Sequence, residues 1–438
     1  MRVQKPREIA ARVLLQRDRG ADYIENLLEA ELPSLAPGDR ALCQELAYGA
    51  VRWQRTLDWL IACKTAGRTQ KAALQILLRL GLYQMFWLDR IPEHAAVNET
   101  VALARQLGYG PQSGFINAAL RGWARERDET KKRLEELKTG QPGLGYSHPD
   151  WLCERWQKRW GAEKLKQLLA WNNTPPKLFA RLNALRADAA RLLEQWRSEG
   201  IEYDFVRRDW FEENLIFELK SHPPLATLPS FQQGLFYVQD PSTLLAVHEL
   251  DPQPGENVLD LCAAPGGKTT YVAQLMQNRG RLVAEDLNRI RLELLRENCA
   301  RLGVACAEYA CKSSIAIPEL SAQVDRVLVD VPCSNTGAMR RRVDLRWRIR
   351  PEEIVRLRSV QLELLHDCAV RTKPGGVLVY STCSLEPEEN SEVVKEFLAS
   401  HAEFNLERER ELLPFSDGVD GAYVATLQRH EGKIPNRP

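Results

Sequence analysis

The apolar positions in the first third of the chain recur at helical spacing. Stretches such as "IAARVLLQ", "IENLLEAEL" and "AALQILLRLGLYQMFWL" place apolar residues three and four positions apart, and proline, glycine and aspartate lie in the breaks between them. A glycine- and proline-rich link, "TGQPGLGYSHP", follows this region. The pattern predicts an all-helical domain over residues 1–138.

The pattern changes twice after this link. Residues 146–245 combine tryptophan-containing helical stretches with short strands such as "LFARLNAL" and "NLIFELK", which predicts a small α+β linking domain. Residues 246–438 alternate strands and helices, which predicts a doubly wound, mostly parallel, Rossmann-like sheet. The predicted strands lie near 257–262, 281–286, 324–330 and 376–382, and the longest predicted helices lie near 288–302 and 352–373.

The chain length predicts two or three globular domains, because 438 residues are more than one ordinary hydrophobic core accommodates. No apolar stretch reaches the length of a membrane span, and the N-terminus lacks a signal-peptide pattern. We therefore expect a cytoplasmic protein that has no membrane partner and keeps its ten cysteines as thiols. No Cys/His cluster has zinc-site spacing, so no metal is expected. The net charge of +1 provides no global attraction to nucleic acid.

The stretch "DLCAAPGGKTT", from Asp260 to Thr270, resembles the end of a phosphate-binding loop. The loop of nucleoside triphosphatases requires a glycine where this chain has Cys262, and Pro265 has no N–H to donate to a phosphate. The dinucleotide pattern is also absent. Asp286 ends the next predicted strand, where nucleotide-binding folds place the acceptor for ribose hydroxyls. The segment is equally consistent with two interpretations. It could bind S-adenosylmethionine, which carries an adenosine without a pyrophosphate, or it could be an ordinary strand-to-helix turn without a ligand.

Two cysteines follow predicted strands of the same sheet. Cys333 comes shortly after the strand that ends at Asp330, and Cys383 ends the strand "GGVLVYSTC". A single cysteine is more often a small buried apolar residue, but two at one strand edge favour chemistry. A thiolate that adds to carbon 6 of cytosine makes carbon 5 nucleophilic towards a methyl group, and the Asp330 carboxylate is suited to bind the ring's polar edge.

Three motifs, "DLCAAPGGKTT", "DVPCSNTG" and "YSTCSLEPEEN", together resemble the NOL1/NOP2/Sun family of RNA cytosine-C5 methyltransferases. The N-terminal region, with "RIPEHAAVNETVALAR" and "GFINAALRGW", is similar to the NusB-like RNA-binding domain of the RsmB (Sun/Fmu) branch. The resemblance implies a Rossmann-like methyltransferase domain that uses S-adenosylmethionine. It also implies methyl transfer to carbon 5 of a cytosine in 16S ribosomal RNA through a covalent bond between cysteine and carbon 6.

The resemblance also implies roles for particular residues. Cys383 would be the nucleophile, Cys333 would assist product release, and Asp330 would contact the cytosine or the donor. Asp286 would hold the ribose of the donor. The loop that would hold the rest of the donor consists of Cys262, Ala263, Ala264, Pro265, Gly266, Gly267 and Lys268.

The chain departs from the family pattern after the third strand of the predicted sheet. The family usually has an aspartate there, near the adenine, whereas this chain has Cys311 and Lys312. Glu308 is the nearest acidic residue that could replace it.

The segment "MRRRVDLRWRIR", from Met339 to Arg350, holds six arginines and a tryptophan directly after the Cys333 motif. Arginine binds phosphate and tryptophan stacks on unpaired bases, so this segment favours RNA contact over a solvated loop. The predicted RNA-binding residues are Arg340, Arg341, Arg342, Arg346 and Trp347.

Two other functions remain open at this stage: a transfer RNA cytosine-C5 methyltransferase and a non-catalytic RNA-binding or assembly factor. No feature of the sequence indicates an obligate protein partner, so a monomer is expected.

Overall fold

The computed structural model of the protein describes residues 5–20, 22–68, 70–311 and 323–431. These residues form two compact units. The first contains the described residues up to Pro175 together with the segment Met339–Arg348, and the second contains the remainder. No helix within the described ranges is long and apolar enough to cross a membrane.

The first unit is helical, as the spacing of apolar residues predicts. Its centre is the helix Ala72–Trp87, which is buried along most of its length. Gly49 lies against this helix, because a Cβ at Gly49 would be 1.9 Å from Cζ of Tyr83. Its helices are α1 (Lys5–Asp18), α2 (Ile24–Glu31), α3 (Pro37–Arg52), α4 (Gln54–Lys64), α5 (Ala72–Trp87), α6 (Glu93–Gln106), α7 (Ser113–Arg125), α8 (Arg127–Gly140), α9 (Pro142–Gly145) and α10 (Asp150–Asn172).

The second unit begins with an antiparallel sheet in the order β2-β3-β1-β4. The two strands predicted from sequence are confirmed here as β1 and β3, whereas β2 and β4 were not predicted. Trp196 covers the sheet with its ring centroid 5.3 Å from that of Phe217 and 5.4 Å from that of Phe236. The elements are β1 (Leu178–Leu182), α11 (Ala189–Glu199), β2 (Glu202–Val206), β3 (Ile216–Ser221), α12 (Pro229–Gln232), β4 (Phe236–Val238) and α13 (Leu245–Leu250).

A seven-stranded sheet in the order β10-β11-β9-β8-β5-β6-β7 forms the rest of the second unit. Strands β5 to β9 are parallel, and β10 and β11 are antiparallel at one edge. The strands are β5 (Asn257–Leu261), β6 (Arg281–Asp286), β7 (Ala307–Cys311), β8 (Val324–Asp330), β9 (Thr372–Thr382), β10 (Phe404–Leu412) and β11 (Ala422–Arg429). The helices are α14 (Gly267–Leu275), α15 (Arg289–Leu302), α16 (Leu345–Arg348, part of the first unit), α17 (Pro351–Arg371), α18 (Ser391–Ser400) and α19 (Pro414–Asp417).

The predicted doubly wound, mostly parallel sheet is therefore confirmed. Strand β5 pairs with β6 on one side and with β8 on the other, so the strand order reverses at β5. Ligands of such sheets bind outside the carboxyl ends of the strands at this reversal. Asp286, Asp330 and Cys383 lie at or directly after the carboxyl ends of β6, β8 and β9.

Candidate active site at the carboxyl edge of the sheet

The loop after β5 makes a sharp turn before α14. Cys262 has a positive φ of 62°, and Gly266, with a φ of 102°, caps α14. Helix α15 supports the turn, since Asn298 Nδ2 donates to the Pro265 carbonyl at 3.0 Å and the Arg291 guanidinium donates to the Ala264 carbonyl. Side chains of α15 thus hold the backbone of the predicted donor loop.

Asp286 is the last residue of β6, as expected for the predicted acceptor of ribose hydroxyls. Its carboxylate accepts the Ala264 N–H at 3.1 Å and the Asn288 N–H at 2.9 Å, so it also closes the donor loop. It lines a cavity of about 250 Å³ whose other walls include Cys262, Leu287, Pro332, Val360 and Leu364. Four acids, Glu285, Asp286, Glu363 and Asp367, line the cavity together with its apolar residues. This lining suits a nucleoside, because its base is largely apolar and carboxylates accept hydrogen bonds from ribose hydroxyls.

Asp260 is fully buried beneath this loop. Thr269 Oγ1 donates to Asp260 Oδ2 at 2.6 Å, but Asp260 Oδ1 has no partner among the described residues. Burial raises the pKa of Asp260 to about 7, although the Thr269 hydrogen bond opposes this shift. A buried carboxylate oxygen without a donor therefore lies beside the predicted donor site.

Replacement of Asp260 by asparagine is expected to change how stability depends on pH. The pKa of Asp260 rises from 3.8 to about 7 on folding, so the folded state binds the Asp260 proton more tightly than the unfolded state does. This proton binding contributes fully to the free energy of unfolding below the unfolded pKa, and the contribution is lost as pH rises through the folded pKa. Between pH 4 and about 8, the wild type should lose on the order of a few kcal/mol of unfolding free energy relative to the Asp260→Asn variant. Urea titrations at several pH values measure this difference, and parallel curves for the two proteins would contradict the assignment.

Asp330 is held by two side chains. Lys268 Nζ lies 2.7 Å from Asp330 Oδ2, and Ser381 Oγ donates to Asp330 Oδ1 at 2.6 Å. Burial alone would lower the pKa of Lys268, but several neighbouring groups together raise it, and the Asp330 carboxylate contributes most among them. The predicted donor loop and the end of β8 are thus joined by an ion pair, and the Asp330 side chain is still 36% exposed.

The two predicted cysteines lie together, with their Sγ atoms 3.3 Å apart. The Cys383 thiol donates to Asn335 Oδ1 at 2.9 Å, and Asn335 Nδ2 donates to the Cys333 carbonyl at 2.7 Å. Cys333 is 9% exposed, whereas Cys383 is half-buried. The hydrogen bond with Cys383 and burial both raise the pKa of Cys333, which favours its protonated thiol. Two thiols that follow different strands of the sheet therefore form one adjacent pair.

Glu389 joins the two cysteine loops, and sequence reasoning missed it. Its carboxylate accepts the Ser334 N–H at 2.8 Å, Gln361 Nε2 at 3.0 Å, Ser384 Oγ at 2.5 Å, and the Ser334 hydroxyl. Ser334 follows Cys333, and Ser384 follows Cys383. Burial raises the pKa of Glu389, against the effect of these donors. No signal in "SLEPEEN" separates this glutamate from its two neighbours, because the segment has no helical or strand period.

The arginine-rich segment corrects a prediction from the sequence. Arg340 and Arg346 are 1% and 0% exposed within the first unit, so neither is available to bind RNA phosphate there. Arg346 donates to the carbonyls of Ser147 and Asn172 at 3.2 and 2.9 Å. Trp347 Nε1 donates to the Val51 carbonyl at 2.8 Å, so this tryptophan is a packing residue rather than an open stacking surface. Arg341 is half-buried and Arg342 is exposed.

The Arg346→Met variant is expected to destabilise the first unit by about 3 kcal/mol or more, because it leaves several buried carbonyls without a donor. Calorimetric unfolding measures this as a lower midpoint. The matched change Arg342→Ala, at an exposed position, should change stability by only a few tenths of a kcal/mol. Equal, small effects of both variants would contradict the structural role of Arg346.

Of the two residues that differ from the family pattern near the expected adenine position, Cys311 is described and Lys312 is not. Cys311 ends β7 and is exposed, while Lys312 lies outside the described residues. Glu308 does not replace the missing acid. It lies early in β7, opposite Val283, and its carboxylate pairs with Arg281 at 2.7 Å.

The fold is that of a Rossmann-like methyltransferase, and two adjacent thiols lie at the carboxyl edge of its sheet. Three family models match consecutive regions: 16S rRNA methyltransferase RsmB/F over residues 247–428, the NusB family over 4–125, and the RsmF/B-like ferredoxin-like domain over 148–218.

Curated relatives match over nearly the whole chain. Probable ribosomal RNA small subunit methyltransferase B from Bacillus subtilis (strain 168) is 33% identical over 98% of this chain and 100% of its own. Ribosomal RNA small subunit methyltransferase B from Vibrio vulnificus (strain YJ016) is 37% identical over 96% of this chain and 98% of its own. The chain belongs to the RsmB/F family of 16S ribosomal RNA methyltransferases.

Solved structures agree with this family. The structure of PH0851 is 25% identical, with a TM-score of 0.78 over 97% of this chain and 99% of that chain. A methyltransferase homolog protein from Pyrococcus horikoshii is 31% identical, with a TM-score of 0.58 over 68% of this chain and 98% of that chain.

Proposed function

We propose that this protein transfers a methyl group from S-adenosylmethionine to carbon 5 of a cytosine in 16S ribosomal RNA. The observation that carries the proposal is the pair of thiols, Cys333 and Cys383, 3.3 Å apart at the edge of a methyltransferase sheet. Curated relatives named ribosomal RNA small subunit methyltransferase B support 16S ribosomal RNA as the substrate.

The residues at the strand edge fit the donor. The ribose would lie at Asp286, and the adenine would lie between the apolar walls formed by Leu287, Val360 and Leu364. The backbone from Cys262 to Lys268 would hold the methionine part. When bound, the donor supplies an electrophilic methyl group.

The two thiols have different environments and therefore different proposed roles. Cys383 is half-buried, and its thiolate would add to carbon 6 of the cytosine, which makes carbon 5 nucleophilic. Asp330, held by Lys268, would bind the polar edge of the ring and support its protonation. After methylation, Cys333, as its thiolate, would accept the carbon-5 proton. The double bond between carbons 5 and 6 then forms again, the Cys383 thiolate leaves carbon 6, and the product is released.

Glu389 would position both thiols, because its carboxylate binds the residue after each cysteine. It also contributes to the raised pKa of Cys333, after the hydrogen bond with Cys383 and burial. Glu389 does not contact the predicted substrate atoms itself. Its proposed effect is to raise the proton affinity of Cys333, so that Cys383 is the nucleophile and Cys333, once deprotonated, accepts the carbon-5 proton.

The proposal also includes the domain ranges, the RNA contacts and the cellular location that were predicted from the sequence. Residues 1–138, 146–245 and 246–438 would be the RNA-binding, linking and catalytic regions. Arg341 and Arg342 remain candidate RNA contacts, and the reaction would take place in the cytoplasm with no obligate protein partner.

Parallel transfer assays test the substrate. Unmodified 16S ribosomal RNA and unmodified transfer RNA are each incubated with the protein and labelled donor, and 5-methylcytidine is quantified by mass spectrometry. We expect 5-methylcytidine in 16S RNA only. Product in transfer RNA alone would replace the proposed substrate. Absence of product in both, with no calorimetric binding of the donor, would favour the non-catalytic assembly factor.

A further inference from the structure

The second unit contains an arginine-lined pocket of about 510 Å³ that the proposed reaction does not use. Arg186, Arg191 and Arg301 line it together with Gln232 and Gln233. These arginines come from the loop after β1, from the first turn of α11 and from the last turn of α15. Two separate parts of the chain, residues 186–191 and the last turn of α15, thus bring arginines to one place.

Buried contacts hold the walls of this pocket. Asn183 Nδ2 donates to the Gly234 carbonyl at 2.7 Å and to the Leu302 carbonyl at 2.8 Å, which ties β1 to the end of α15. The Arg301 guanidinium donates to the Phe231 carbonyl at 2.9 Å and lies 4.1 Å from the centroid of the Phe231 ring. These bonds fix Arg301 in place before any ligand arrives.

Gly303 provides the space for the second arginine. It has a positive φ of 76°, and a Cβ there would lie 2.6 Å from Arg186 Nε. The Arg186 side chain therefore occupies the space that a side chain at position 303 would need. Arg191 is fixed to the same loop, because its guanidinium donates to the Arg186 carbonyl at 3.1 Å.

The pocket has positive charge without a matching acid. None of its lining residues is acidic, and none of the three arginines forms an ion pair with a described residue. Asp188 is close in sequence, but its carboxylate accepts the Arg191 backbone N–H at 2.9 Å and caps α11. Three guanidinium groups around one pocket repel one another unless an anion lies between them.

We propose that this pocket binds a phosphate of the RNA backbone at a position separate from the cytosine site. The planar guanidinium groups match phosphate oxygens in pairs, and the two glutamine amides add neutral donors. Such contacts position a nucleic acid without reading its sequence. The inference rests on the proposed function, because it takes ribosomal RNA as the ligand.

The double variant Arg186→Ala/Arg191→Ala tests this site. Filter binding of unmodified 16S ribosomal RNA over a series of salt concentrations should give a roughly tenfold higher Kd at low salt and a salt slope smaller by about 1. The kcat at saturating RNA should remain unchanged. The matched control is Arg296→Ala/Arg356→Ala, because these exposed arginines already pair with Glu293 and Glu353 at 2.7 and 2.6 Å.

The outcomes separate this inference from the proposed function. If wild-type protein methylates 16S RNA but the double variant and the control bind it with the same Kd and slope, the pocket does not bind RNA. If wild-type protein neither binds nor methylates the RNA, both proposals fail. If inorganic phosphate at low millimolar concentration binds the wild type but not the double variant, and does not weaken RNA binding at constant ionic strength, a small anion replaces the RNA backbone as the ligand.

Discussion

Replacing Cys383 with alanine is expected to abolish methyl transfer, with a loss of roughly three orders of magnitude or more in kcat. The proposed reaction needs a thiolate that adds to carbon 6, and the nearest other thiol, Cys333, is buried with a raised pKa. Single-turnover transfer of labelled methyl groups to unmodified 16S ribosomal RNA measures the effect.

A matched cysteine variant controls for general damage to the protein. Cys63 is exposed on α4 in the other compact unit, so Cys63→Ala should retain wild-type kcat. Retention of a tenth or more of the wild-type rate in the Cys383→Ala variant would contradict its role as nucleophile. Calorimetric titration of the donor into both variants should give the same affinity, because neither cysteine belongs to the proposed donor loop.

Replacing Glu389 with glutamine is expected to lower kcat about a hundredfold while KM for RNA changes only a few-fold. Glutamine keeps the size of the side chain, but its amide group directs a donor at groups that now donate to the carboxylate. The loops that carry Cys333 and Cys383 would then shift, and displacements near 1 Å at reacting groups cost about this much.

Thiol alkylation distinguishes positioning by Glu389 from a general structural role. The negative charge of Glu389 is one of the causes that raise the pKa of Cys333, so the Glu389→Gln variant should alkylate at Cys333 at a lower pH than wild type. Peptide mapping after iodoacetamide treatment between pH 7 and 9 measures the ratio of Cys333 to Cys383 labelling. The control Glu392→Gln lies in the exposed first turn of α18. An unchanged ratio together with an unchanged kcat would remove Glu389 from the mechanism.

The architecture of the sheet was predictable because parallel strands are buried on both faces. Their apolar runs, such as the one that ends at Asp330, stand out from the helices between them. The ends of those runs also placed Asp286, Cys333 and Cys383 at one edge. Strand β10 was missed, because its sequence is mostly charged and half-exposed. Strand β11 was also missed, although six of its eight residues are buried.

The path of the arginine-rich segment was not predictable from its composition. A run of arginines has the same pattern whether it is solvated or buried. The burial of Arg346 depends on acceptors that lie far away in the sequence, such as the carbonyl of Ser147 and Oδ1 of Asn173, at 3.2 and 2.8 Å. The role of Glu389 depends in the same way on Ser334, which precedes it by 55 positions.

In the proposed reaction, Cys383 bonds to the cytosine and Cys333 is needed for its release. The most direct measurement mixes the Cys333→Ala variant with S-adenosylmethionine and unmodified 16S ribosomal RNA, and isolates protein–RNA adducts under denaturing conditions. Mass spectrometry then identifies the linked peptide. We expect a stable adduct at Cys383 that is absent from the Cys333→Ala/Cys383→Ala variant. An adduct at another residue, or normal turnover without any adduct, would contradict it.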